Sequence, residues 1–102
     1  MRIQFKALLE TVQEIEQLEK TKRQKITLKI PVYDTFTGEP VRNDVFPAAI
    51  LGKNINRLDA DKKLGEIVSA ICFLTSFSNE KEDVTYHNLS LNCVELDIID
   101  VD

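Results

Sequence analysis

The sequence predicts an all-β domain, a five-stranded barrel carrying one short helix. Three observations lead there. Segments of period-two alternation rich in β-branched residues recur along the chain, separated by turn formers. Only one short stretch, after Gly52, has an isolated helical stripe. The length of 102 residues is that of one domain with one core, so residues 1–102 read as a single unit.

Residues 1–19 carry two periods at once. Ile3, Phe5, Ala7 and Leu9 alternate as in a strand. Leu8, Val12, Ile15 and Leu18 repeat as in a helix, and QEIEQLEK is a good helix former. A phase change near Leu8–Leu9 also fits a long strand bent by a bulge, which shifts the register by one. The bent strand is preferred, because the following strand needs a neighbour and EKTKRQ supplies a hairpin turn. A helix over these residues is the alternative.

The second strand is the clearest. In KITLKIPV, Ile26, Leu28, Ile30 and Val32 alternate with Lys25, Thr27, Lys29 and Pro31. Pro31 donates no ladder bond, which places it near an edge or at the strand's end. YDTFTGEPVRND is dense in turn formers and reads as a long hairpin loop. VFPAAILG is a short apolar run, expected to be buried on both faces.

KNINRLDADKKLG follows. Ile55, Leu58 and Leu64 give a weak helical stripe, so a short helix is expected near residues 53–60, stopped by Gly65. EIVSAICFLTSF is a strand with Val68, Ala70, Cys72 and Leu74 on one face. Its other face, Ile67, Ser69, Ile71 and Phe73, is also largely apolar, which predicts a central position. SNEKEDV is a polar turn, and TYHNLSLNCVELDII closes the chain with Leu89, Leu91 and Cys93 on one face. Five strands with a helix between the third and fourth match an OB-fold-like Greek-key barrel, in which closure also manages the edge strands.

Charge is unevenly placed. The net charge is −4, yet residues 20–63 carry ten basic and five acidic groups, whereas residues 64–102 carry one basic and eight acidic. Lys20, Lys22, Arg23, Lys25 and Lys29 lie in one stretch without an acid, so a polyanion would be drawn there. A solvated turn and strand face is the plainer account of the same residues. The acidic end, Glu95, Asp97, Asp100 and Asp102, fits the polar end of a last strand better than a docking tail.

Other chemistry has little support. Glycine occurs only at 38, 52 and 65, so no glycine-rich phosphate cradle can form, and no zinc-protease motif is present. One histidine, His87, without a nucleophile motif does not make a catalytic site, and no enzyme activity is expected. Cys72 and Cys93 stand 21 residues apart, without a short-spaced metal pair. They are expected to be reduced, buried thiols, with no metal or other cofactor. No apolar run approaches the ~20 residues of a membrane span. Arg2, Lys6 and Glu10 interrupt any signal-peptide core, so a cytoplasmic, membrane-free protein is expected.

Several short stretches carry a family resemblance. They are Phe46–Leu51, Gly52-Lys53, Ile55–Leu58, Lys63-Leu64-Gly65-Glu66-Ile67-Val68 and Tyr86-His87-Asn88-Leu89. In this order they resemble bacterial single-stranded DNA-binding proteins and their small OB-fold relatives. The family's usual mid-strand glycine corresponds to Cys72 here, and its stacking tryptophans have no counterpart. The resemblance implies a single-stranded nucleic-acid-binding module of DNA replication, repair or recombination, acting on DNA or RNA. It also implies a homo-oligomer, dimer or tetramer, formed through a strand edge.

Such modules bind with a basic groove and aromatic platforms. The candidates here are Lys20, Lys22, Arg23, Lys25, Lys29, Tyr33, Phe36, Arg42, Lys53 and Tyr86, with Phe77 flanking the last turn. Tyr33 and Phe36, set among turn residues, are the better platforms, although Phe36 could instead fold back over the barrel's open end. Phe46 and Phe73 are expected in the core. An OB-like protein-interaction or assembly module that binds no nucleic acid is the alternative function, favoured by the acidic pI of about 5.0 and the lack of Trp.

Overall fold

A computed structural model describes residues 1–99, apart from the side chains of Phe77, Asn79, Tyr86 and His87. Five strands run β1 (Arg2–Gln17), β2 (Lys22–Tyr33), β3 (Pro40–Leu51), β4 (Ile67–Lys81) and β5 (Val84–Ile98). The helix α1 (Asn54–Leu58) and a 3₁₀ turn (Ala60–Lys63) lie between β3 and β4. The sheet closes into a barrel in the order β1-β2-β3-β5-β4.

The bent first strand is present. Its first half pairs with β4, from Arg2↔Phe73 to Leu8↔Ile67. Its second half pairs with β2, from Leu8↔Lys29 to Gln17↔Lys22. Register shifts fall between Leu9 and Thr11 and again between Val12 and Ile15. They explain the three-residue spacing of Val12 and Ile15 in the helical stripe. Leu9, Val12 and Ile15 oppose Leu28, Ile26 and Gln24, so residues three apart share a face because each bulge adds one.

Gln24, only 2% exposed, donates from Nε2 to the Gln13 carbonyl at 3.1 Å and so satisfies the second bulge. Gln24→Ala is expected to cost about 1–3 kcal/mol, because a carbonyl loses its partner inside the sheet. Urea unfolding of the two proteins measures this, and an unchanged midpoint would remove Gln24 from the bulge's support.

Elsewhere the strands are longer than their apolar runs. β2 continues through Pro31, which is tolerated because β1 has left β2 by Lys29 and exposes a free edge. The expected long loop shrinks to residues 34–39, since Pro40, Arg42, Asn43 and Asp44 pair with β2. The loop is tied by Asp34 N to Glu39 O at 2.8 Å and Gly38 N to Asp34 O at 2.9 Å, with Gly38 at φ +73°. Likewise SNEKEDV is mostly strand. Only Glu82 and Asp83 turn, at φ 53° and 65°, as a two-residue hairpin loop requires.

Both β2–β3 and β4–β5 therefore extend as hairpin arms. Ala49 pairs in parallel with Asn92, and Pro40 and Val84 open their strands at nearly equal distances before that pair. The two tips consequently project to the same side. The radius of gyration, 15.6 Å, exceeds the roughly 13 Å of a compact chain this long, as projecting arms demand.

The core is built from Ala7, Leu9, Ile26, Leu28, Ala48, Ile50, Val68, Ala70, Cys72, Cys93 and Leu96. Ile55, Leu58 and Ala60 plug one end of the barrel. Here the helix stops earlier than expected, at Asp59 with φ 49°, and Leu64 stays exposed. β3 is not buried on both faces: Val45, Phe46 and Leu51 are exposed while Ala48 and Ile50 are buried. β4 has two strand neighbours but keeps Ile67 and Phe73 exposed on its outer face. Phe46 lies at the barrel's open end, its ring 6.2 Å from that of Phe5. Cys72 and Cys93 are free, buried and directly paired across β4 and β5. The Cys72 thiol beside it and its own burial push the Cys93 thiol well above the ordinary range, so it stays protonated.

Candidate nucleic-acid interface

Because β2 buries Gln24, Ile26 and Leu28, its odd positions face outward. They form a row: Arg23, Lys25, Thr27, Lys29, Pro31 and Tyr33. At ~3.3 Å per residue, this row runs about 33 Å from Arg23 to Tyr33. The outward residues of β3 beside it are Leu51, Ala49, Pro47, Val45 and Asn43, and none is charged. On the other side, β1 contributes Glu10, Thr11 and Glu16. Three parallel rows result: acidic and polar on β1, basic on β2, largely apolar on β3.

The rows are joined by defined contacts. Arg23 Nη2 donates to Glu16 Oε2 at 2.9 Å, and Lys25 Nζ stands 3.8 Å from Glu16 Oε1. Lys29 Nζ is 3.5 Å from Glu10 Oε1, and the Thr11 and Thr27 hydroxyls are 2.6 Å apart. Arg23, hydrogen-bonded to Glu16, holds that carboxyl below the usual range. Its folded value being depressed, this link supports the fold above the unfolded value and is lost as pH falls through the folded one.

A groove runs beside the first half of the basic row, from Arg23 to Thr27. Gln13, Arg23, Lys25 and Thr27 line one wall, Pro47 and Ala49 the base, and Leu89 and Ser90 of β5 the other wall. It encloses about 260 Å³, below the ~300–1,000 Å³ typical of small-molecule pockets, and it is open along its length. Its form is a track. Leu89, expected to face the core, is instead 74% exposed on this wall. Alternation is unbroken from Cys93 through Leu91 to Leu89, so Leu89 keeps their facing, but it stands in the β4–β5 arm, past the end of the barrel interior that buries Cys93.

The candidates divide by position. Arg23, Lys25, Lys29 and Tyr33 share the outward row. Lys22 opens β2, and its carbonyl accepts from Gly52 N at 2.9 Å, which sets Lys53 beside the row's beginning and not its far end. Lys20 lies in the exposed β1–β2 turn. Arg42 falls on the opposite face of its arm, with Phe46 and Ala48, and pairs with Asp44 at 3.1 Å. Phe36, at the arm's tip, does not fold over the barrel and is 97% exposed. The Asp34 carboxylate accepts from Phe36 N at 2.7 Å and Thr37 N at 3.1 Å, contacts that hold its carboxyl below the usual range. The side chains of Tyr86 and Phe77 lie outside the described residues. Sequence reasoning missed Pro47, Ala49 and Leu89, which carry no chemical signal of their own. It also missed Glu10 and Glu16, which only strand pairing brings to the lysines.

No protein-family model and no curated protein matches the sequence. Solved structures do. The chain is similar to the small single-stranded DNA-binding protein from Streptomyces coelicolor, with a TM-score of 0.65 and 11% identity, covering 97% of this chain and 94% of that one. It is equally similar to the Plasmodium falciparum SSB in its complex with ssDNA, with a TM-score of 0.64, 12% identity and the same coverages. At these identities the likeness is one of fold, and with the closed β1-β2-β3-β5-β4 order it establishes the chain as a five-stranded OB barrel.

Proposed function

We propose that this domain binds single-stranded nucleic acid, DNA foremost, along the outer face of β2 and β3. The observation that carries the reading is the cationic row lying beside an uncharged one on a single open track. Phosphates would follow Arg23, Lys25 and Lys29, and bases would lie over Pro47, Ala49 and Leu89. Lys20, Lys22 and Lys53 extend the basic row at one end, and Tyr33 and Phe36 offer ring faces at the other. Two structures of the same fold are named for single-stranded DNA binding or contain the strand, which supports this choice of ligand. Replication, repair or recombination in the cytoplasm is the setting such a ligand implies. Self-association as a dimer or tetramer is part of the proposal, supported by Ile67 and Phe73 exposed on the outer face of β4.

Fluorescence titration with oligo-dT from low to high salt tests it. Binding that weakens steeply with salt is the expected result, and no binding at low salt would refute it. Replacing Tyr33 or Phe36 by Ala is expected to cost ~1–3 kcal/mol each with little change in salt slope, because stacking releases no counterions. A protein-interaction role without nucleic acid is the second reading. One observation favours it: Glu10 and Glu16 already occupy the basic row.

A further inference from the structure

We infer that Glu10 and Glu16 act as internal phosphate surrogates that set the affinity and salt response of the β2 track. This rests on the nucleic-acid reading above. In the sequence the basic stretch from Lys20 to Lys29 contains no acid. Folding supplies two, both from β1, and places them on the three cations of the outward row. Glu16 reaches Arg23 at 2.9 Å and Lys25 at 3.8 Å, one oxygen to each, as a bridging phosphate would. Glu10 reaches Lys29 at 3.5 Å.

The geometry depends on the bulges of β1. Register shifts after Leu9 and after Val12 set Glu16 opposite Arg23 while keeping Val12 opposite Ile26. The acidic row is thus tied to the same irregularity that bends the strand.

The contacts suit exchange. All five side chains are about a third to a half exposed, so the pairs are solvated and individually weak. An incoming phosphate can take over a cation, but it then meets a carboxylate left beside it. The row therefore offers a net charge of one in place of three. Its affinity for a strand is lower, and its salt dependence shallower, than three free cations would give.

The experiment is an oligo-dT titration across salt with the full chain, Glu10→Gln/Glu16→Gln and a charge-matched control, Glu14→Gln/Glu66→Gln. Glu14 and Glu66 form no ion pair with the β2 cations among the described residues. The track variant is expected to bind about five- to tenfold tighter per carboxylate at low salt. Its salt slope should steepen by up to about 1.4, near 0.7 for each of the two units of positive charge regained. The control should change binding by far less. Thermal melts of each protein confirm the same folded state. If all three proteins bind oligo-dT with the same slope, the surrogate role is wrong and the nucleic-acid reading stands. If the control tightens as much as the track variant, net charge alone is responsible and the surrogate role again fails. If none binds at low salt, the nucleic-acid reading fails and takes this inference with it.

Discussion

Replacing Lys25 and Lys29 together by Glu is expected to weaken oligo-dT binding by at least about 25-fold near 0.1 M salt, and to flatten the salt slope by about two units. Two lost phosphate contacts account for a slope of about 1.4, or some 25-fold over the tenfold range from 1 M to 0.1 M salt. Repulsion adds the rest. The new carboxylates would join Glu10 and Glu16, leaving Arg23 as the only cation of the outward row among four acids. The effect should be uniform across strand sequences, since phosphates carry no base identity. Lys6→Glu/Lys62→Glu makes the same change in net charge away from the track and should weaken binding far less. Equal losses from the two pairs would show that the ligand senses overall charge and not the β2 face. Melting curves are needed beside the titration, because like charges facing across strands also destabilise a sheet by a few tenths to ~1 kcal/mol.

Much of this architecture is legible before any coordinates. β2 announces itself because one face must be buried and the other wetted, so Ile26 and Leu28 cannot exchange places with Lys25 and Thr27. The isolated stripe at Ile55 and Leu58 marks the plug. The misreadings have physical causes. Period-two reasoning fails at a bulge, and β1 has two, which is why Val12 and Ile15 of the helical stripe share a face, while Leu8 of the same stripe lies on the other, opposite Lys29 and Ile67. Leu89 keeps the facing of Cys93 and Leu91, but alternation does not say where the barrel interior ends, and Leu89 lies beyond it in the arm. Turn formers were read as loops, yet Pro40 and Asn43 sit in a strand because an arm with free edges tolerates weak strand formers. Apolar runs were read as buried on both faces, but a barrel this small fills its interior with one residue in two. Ile67 and Phe73 are left outside.

The site was legible only as a list of charges and rings. Which lysines share a face follows from alternation, and Lys25, Lys29 and Tyr33 fall together as that rule requires. Arg42 shows its limit, because its facing depends on where β3 begins. The carboxylates on the basic row follow only from the β1–β2 register, a long-range pairing that no local pattern encodes.

Leu28→Ala is expected to destabilise the fold by about 2–5 kcal/mol, a large share of the ~5–15 kcal/mol that holds a domain together. Leu28 is fully buried, opposite Leu9 on one side and Phe46 on the other, so its removal leaves a cavity where the barrel meets the arms. The backbone there is paired on both edges and cannot easily collapse inward. A fall in melting temperature of roughly 10 °C or more should follow for a domain of this size. The same strand carries the proposed track on its odd positions, which separates two kinds of damage. If Leu28 acts only through the fold, the variant's folded fraction should bind oligo-dT with the wild-type salt slope, because Arg23, Lys25 and Lys29 are untouched. Added oligo-dT should raise its melting temperature, since a ligand that binds only the folded state stabilises it in proportion to the logarithm of its concentration. A changed slope at full folding would mean that core packing also sets the facing of the lysines. A melting temperature within a few degrees of wild type would show that the barrel is not closed around Leu28 as described.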